Sequence, residues 1–148
     1  MKNRIVLCLA MMFVCIISMA KVSDNLLPVP QQISVTGGSF TLGKVMLETT
    51  VLQSEWQKFI AEVGGEIVPK SSRKIEVKLV PEVKDAKLNQ EEAYRLVVSS
   101  KGVLVEATTE KGVYWALQTL RQLEDKKGRF EACEIVDWPA FKIRGFMH

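Results

Sequence analysis

Apolar and polar side chains change rhythm several times along the chain, and each rhythm names an element. Ile33 and Val35 alternate with polar neighbours, Gly37 and Gly38 allow a tight turn, and Phe40 and Leu42 alternate again beyond them. That pattern predicts a β-hairpin, with a short strand over residues 45–48 after it. Over residues 51–63 the period lengthens. Leu52, Trp56, Phe59, Ile60 and Val63 recur at steps of three and four, while Gln53, Glu55, Lys58 and Glu62 take the other side. This is an amphipathic helix. Gly64 and Gly65 stop it, because glycine takes the left-handed conformation at a helix C-terminus without a Cβ penalty.

Period two returns at Ile75, Val77 and Leu79, interleaved with Glu76 and Lys78, until Pro81 ends the strand. Tyr94, Leu96 and Val98 then form one arm of a second hairpin; Ser100, Lys101 and Gly102 make its turn, and Val103, Val105 and Ala107 its return. Thr108 or Thr109 caps a second helix with a stripe of Val113, Ala116, Leu117, Leu120 and Leu123, closed by Lys126, Lys127 and Gly128. A last strand covers residues 129–136. Ahead of all these, Pro28 and Pro30 make residues 25–32 an extended lead-in over the surface. Alternating rather than continuous apolar residues indicate a sheet covered on one face and wet on the other. The expected fold is α+β: a two-layer sandwich, mainly antiparallel, with two helices packed on one face.

The first twenty residues, MKNRIVLCLAMMFVCIISMA, break these rhythms: Lys2 and Arg4, a continuous apolar run, then Ser18, Met19 and Ala20 in a small-x-small arrangement. They read as a secretory signal peptide cleaved after Ala20. A membrane anchor is the competing reading, but the run over residues 5–17 is shorter than the ~20 residues that cross a bilayer. Lipoprotein processing is disfavoured because Val14, ahead of Cys15, is not small. The mature protein is therefore expected in the periplasm or outside the cell, without a membrane anchor. The formal charge of +3 includes Lys2 and Arg4, so cleavage leaves a nearly neutral chain with interspersed Lys and Glu. Nucleic acid is not an expected partner. Of three cysteines only Cys133 remains, which excludes an internal disulfide.

Candidate chemistry is sparse. Cleaving a glycosidic bond normally needs two carboxyl groups flanking it, one held protonated. Glu91 and Glu92 adjoin in a charged loop, Glu55 and Glu62 lie on the polar side of a helix, and Glu131 and Glu134 are placed on opposite faces of a strand. By sequence position none converges on a pocket, and all read as solvated carboxylates. The one histidine, His148, is the last residue, which leaves neither a metal set nor a nucleophile pair, so no metal and no cofactor is expected. Trp56 is placed in the core. Tyr114 and Trp115 suit packing onto a neighbouring domain, and Trp138, before Pro139, packs at a boundary.

Three stretches, LLPVPQQISVTGGSFTLG, EAYRLVVSSKGVLVEATTEKGVYWALQTLRQL and IVDWPAFKIRGFMH, together resemble the N-terminal domain and domain junction of family 20 β-N-acetylhexosaminidases. The resemblance implies an accessory domain over residues 21–137 and, over residues 138–148, the start of a (β/α)8 catalytic barrel. It implies an exo-acting hydrolase that removes terminal β-linked N-acetylglucosamine or N-acetylgalactosamine with retention, the substrate's own acetamido oxygen serving as nucleophile. The Asp-Glu pair that serves such chemistry belongs to a later barrel strand, beyond His148. Arg144 matches the family's arginine that hydrogen-bonds hydroxyls of the non-reducing sugar, a task suited to a guanidinium fork. The chain has 148 residues, room for one domain but far short of the roughly 250 of a barrel. It is expected to be inactive alone, reaching its glycan only through the missing barrel, with Phe141, Ile143, Phe146 and Met147 as an apolar end. A secreted carbohydrate-binding or protein-interaction module is the alternative.

Overall fold

The period-two segments do pair into a sheet, but not always with the neighbours expected. The structure, a computed structural model, describes residues 26–125 and 128–142. In chain order the elements are β1 (Gln32–Thr41), β2 (Lys44–Glu48), α1 (Gln53–Glu62), β3 (Glu66–Ile67), β4 (Lys74–Leu79), a 3-10 turn at Gln90–Glu92, β5 (Tyr94–Ser99), β6 (Gly102–Ala107), α2 (Glu110–Leu123), β7 (Glu124–Asp125) and β8 (Arg129–Asp137). Among the described residues the strands lie in the order β1, β8, β5, β6, β4, β2, β3, with β7 also against β8. The side from β1 to β6 is antiparallel, and the side from β6 to β3 is parallel.

The predicted first hairpin is not formed. β1 is one strand that pairs with β8 at both ends. Val35 faces Cys133 and Ser39 faces Glu131, so residues 36–38 stand against Ala132 alone, and the strand bulges there. Gly37 and Gly38, at φ 79° and 92°, supply the left-handed backbone this bulge requires. The second hairpin forms as predicted, Tyr94 to Ser99 against Gly102 to Ala107. Gly102 is obligatory because a Cβ there would lie 1.9 Å from the carbonyl oxygen of Lys74.

Both helices feed one apolar core. Trp56, Phe59 and Ile60 from α1 and Val113, Ala116, Leu117 and Leu120 from α2 join Ile75, Leu96, Val98, Val105, Cys133 and Ile135 of the sheet. An aromatic chain runs through it: Trp56 to Phe59, Phe59 to Phe130 and Phe130 to Phe40, with ring centroids 6.1 to 6.3 Å apart. The Thr109 hydroxyl caps α2 by accepting from the Lys111 amide at 3.2 Å. α2 ends at Leu123, where Glu124 and Asp125 turn into pairing with β8; Lys126 and Lys127, expected to close it, lie outside the described residues.

The other face of the sheet is charged but not wholly wet. Arg95 of β5 bridges Glu106 of β6 and Glu134 of β8, each at 2.7 Å. Lys78 pairs with Glu76 and Lys74 with Glu48 farther along. At one end residues 80–93 fold back, and Val83 and Ala93 pack with Val136 and Trp138 in a second small core.

A groove beside the chain's exit as the candidate functional site

α2 presents a second stripe at helical spacing, Trp115, Gln118, Thr119 and Gln122, beside the one that enters the core. It forms the floor of a groove of about 540 Å³. Residues 26–31 make one wall; the ends of β5 and β8, with residues 137–141, make the other. α2 approaches residues 80–93 closely here because residue 112 is glycine, where a Cβ would sit 2.4 Å from the Ala93 carbonyl oxygen.

The walls are held by side chains that reach remote backbone. The Gln122 amide brackets Leu27, accepting from its N–H at 2.8 Å and donating to its carbonyl at 3.1 Å, as a strand neighbour would. Leu27, Pro28, Val29, Gln31 and Gln32 are exposed while Leu26 and Pro30 are buried, so the lead-in runs over the surface as expected and is pinned to it at two points. Asp137 Oδ1 accepts from the Gln31 N–H at 3.0 Å. The Tyr94 hydroxyl lies 2.6 Å from Thr119 Oγ1 and donates to Asp137 Oδ2 at 3.4 Å. Burial raises the Asp137 carboxyl above its ordinary range, against the lowering effect of its bonds from Gln31, Trp138 and Tyr94. Burial, and then the charge of Asp137, also keeps the Tyr94 phenol protonated.

Two carboxyl groups therefore line one groove, Glu92 and Asp137, which sequence position did not bring together. Both are engaged. Glu92 Oε2 accepts from the Trp115 indole N–H at 3.0 Å, and each Asp137 oxygen faces a protein donor. A catalytic acid must reach the leaving oxygen, whereas these oxygens serve the groove's own walls. With its carboxyl groups so occupied, the groove offers apolar surface: Leu27, Val29, Trp115 and Phe141 are all exposed, and Tyr114 adjoins them. That surface suits packing against protein better than gripping a sugar, which needs free donors and acceptors.

The other sequence candidates are scattered. Glu91 is exposed and paired with Lys111 at 3.0 Å, which lowers its pKa. Glu55 bonds Ser54, and Glu62 pairs with Arg121. Glu131 and Glu134 correct an expectation: Phe130 and Cys133 both face the core, so alternation breaks between them and the two glutamates share the outer face. Trp56 is fully buried and Trp138 nearly so. Cys133 is buried, its thiol pushed up to about 11. Among the described residues no cluster of His, Cys, Asp and Glu could hold a metal, and no helix is long and apolar enough to cross a membrane. The expected signal peptide, Arg144 and His148 lie outside the described residues.

Sequence reasoning missed Asp137 and Gln122 as organisers of the groove. The stripe of Trp115, Gln118, Thr119 and Gln122 was the legible signal, since polar side chains at core-like spacing mark a second face.

Comparison with known proteins gives these features a setting. The model of glycosyl hydrolase family 20, domain 2, matches residues 23–138. The exo β-N-acetylglucosaminidase of Vibrio harveyi is 26% identical with a TM-score of 0.61, over 82% of this chain and 20% of that one. The chitobiase of Flavobacterium johnsoniae is 27% identical with a TM-score of 0.59, over 84% and 22%. The β-N-acetylhexosaminidase of Bacteroides fragilis, at 23% identity and a TM-score of 0.58 over 79% and 25%, shares the fold. The chain thus spans a quarter or less of the length of these three solved relatives. On a match over most of its length, the chain belongs to glycosyl hydrolase family 20, as that family's domain 2.

Proposed function

We propose that the chain is the non-catalytic N-terminal part of an exo-β-N-acetylhexosaminidase, a brace for a catalytic barrel that removes terminal β-linked N-acetylglucosamine or N-acetylgalactosamine by substrate-assisted retention. The observation that carries this reading is the groove. It lies where residues 137–141 leave the sheet, its carboxyl groups are engaged by its own walls, and its exposed surface is aromatic and aliphatic. The groove is the seat for the body that follows in a longer chain, and Trp115 and Phe141 are its anchors. Arg144, by its match to the family's arginine, binds sugar hydroxyls once the barrel surrounds it. The leader-like first twenty residues support export to the periplasm or beyond the cell.

The test is an assay of the purified chain with a chromogenic N-acetylglucosaminide, in parallel with calorimetric titration of chito-oligosaccharide. Neither turnover nor binding is expected. Turnover abolished by Asp137→Asn would make the groove an active site and sink the proposal. Binding without turnover would turn the chain into a sugar-binding module instead.

A further inference from the structure

The backbone leaves the sheet after Asp137 and is restrained three times within three residues. Trp138 is buried against Val83, Ala93 and Val136. Pro139 fixes its own φ through its ring. The Pro139 carbonyl, whose direction is set by the remaining torsion, accepts from Asn89 Nδ2 at 2.6 Å. Asn89 holds a left-handed backbone at φ 46°, which asparagine tolerates better than most residues.

The base behind Asn89 is itself rigid. The Gln90 amide accepts from Val83 N–H at 2.9 Å and donates to the carbonyls of Val83 and Ala86 at 3.1 and 2.9 Å. The hydroxyls of Thr108 and Thr109 donate to the carbonyls of Gln90 and Glu91, tying the turn to the start of α2. A side chain anchored on α2 thereby grips backbone fifty residues away, at the point of departure.

We infer that Asn89 is a positioning residue: by holding the Pro139 carbonyl it sets the direction in which the chain leaves the sheet, and so the placement over the groove of whatever body follows. This rests on the proposed function, since a fixed exit matters only to a body hung from it.

Spin labels on Lys142→Cys and on Gln57→Cys of α1, in a background where Cys8 and Cys15 are replaced by serine, report the exit direction as a distance distribution; both labelled positions are exposed, and buried Cys133 stays unlabelled. The parent should give one narrow distribution. Asn89→Asp keeps the size and the tolerance of left-handed backbone but loses the donor, and is expected to widen the distribution about twofold. Asn89→Gly, which removes the side chain without backbone strain, should do the same. In both, amide exchange in β5 and β8 should stay as slow as in the parent. A broad parent distribution, unchanged widths in the variants, or widening that comes only with faster exchange in β5 and β8 would each overturn the inference. The measurement uses no substrate, so its failure leaves the hydrolase reading intact, and turnover by the isolated chain would sink that reading without moving the label.

Discussion

The two faces of the sheet meet their surroundings in opposite ways. The outer face pairs its charges: Arg95, Glu106, Glu134, Lys78 and Glu76 form a row of alternating charge across β8, β5, β6 and β4. Three carboxylates against two cations leave such a row one charge from neutral, and water serves it well. The helix side buries most of its inner stripes, yet carries Tyr114, Trp115 and, on the walls of the groove, Leu27, Val29 and Phe141 in the open. Charge on a surface is satisfied by solvent, whereas clustered large apolar side chains are not. The contrast teaches that solvent completes one face, while the other leaves apolar surface in the open.

Core and outer face can be set against each other by mutation. Phe130→Ala removes the ring that links Phe40 to Phe59 and should destabilise the fold by about 3–5 kcal/mol in chemical denaturation. Arg95→Ala leaves Glu106 and Glu134 without their shared cation and should cost about 1 kcal/mol, shrinking as salt is raised. An Arg95 effect as large as that of Phe130, or one indifferent to salt, would mean that the outer face is a structural core rather than a solvated surface.

The inner stripes were legible because they are local. Trp56, Phe59 and Ile60 or Val113, Leu117 and Leu120 declare a helix by spacing alone. Pairing was less so. A Gly-Gly pair serves a hairpin turn and a bulge equally, and only the distant partner β8 decides that β1 runs straight through. Period two likewise cannot distinguish the antiparallel partner of β5 from the parallel partners of β4. The groove was hidden for the same reason: Gln122 meets Leu27 across 95 positions and Asp137 meets Gln31 across 106. Residues 80–93 show no period along the chain, because Val80, Val83 and Ala86 are too dispersed to form one.

If the groove is a seat, its anchors should matter little to the isolated fold. Trp115→Ser together with Phe141→Ser should shift unfolding free energy by no more than about 1 kcal/mol, because Phe141 is 73% exposed and Trp115, 42% exposed, gives up one surface hydrogen bond and part of its ring contact. The same pair should sharply reduce binding of an apolar fluorescent dye. A loss of several kcal/mol would show that these aromatics belong to the domain's own core, and the contrast between the faces would fail.

The smallest effect is a difference of slopes at Asp137, where the groove touches the end of the sheet. Burial raises this carboxyl above its ordinary value of 3.8 in the folded state, so folding takes up protons between that value and the raised one. Its contribution to stability is fully present below 3.8 and is lost as pH rises through the raised value, opposite in sign to a salt-bridged carboxylate. Asp137→Asn keeps an oxygen for the Gln31 N–H but cannot ionise. Relative to the parent, the variant should therefore gain stability as pH rises through that window and hold the gain at neutral pH. Other titrating groups cancel when denaturation midpoints of the two proteins are subtracted at each pH. A difference that runs the other way would mean that the ionised form is the one the site favours, through its bonds from Gln31, Trp138 and Tyr94. The groove would then be built around a negative charge, and a cationic or hydrogen-bond-donating occupant would replace the apolar one argued from Leu27, Trp115 and Phe141.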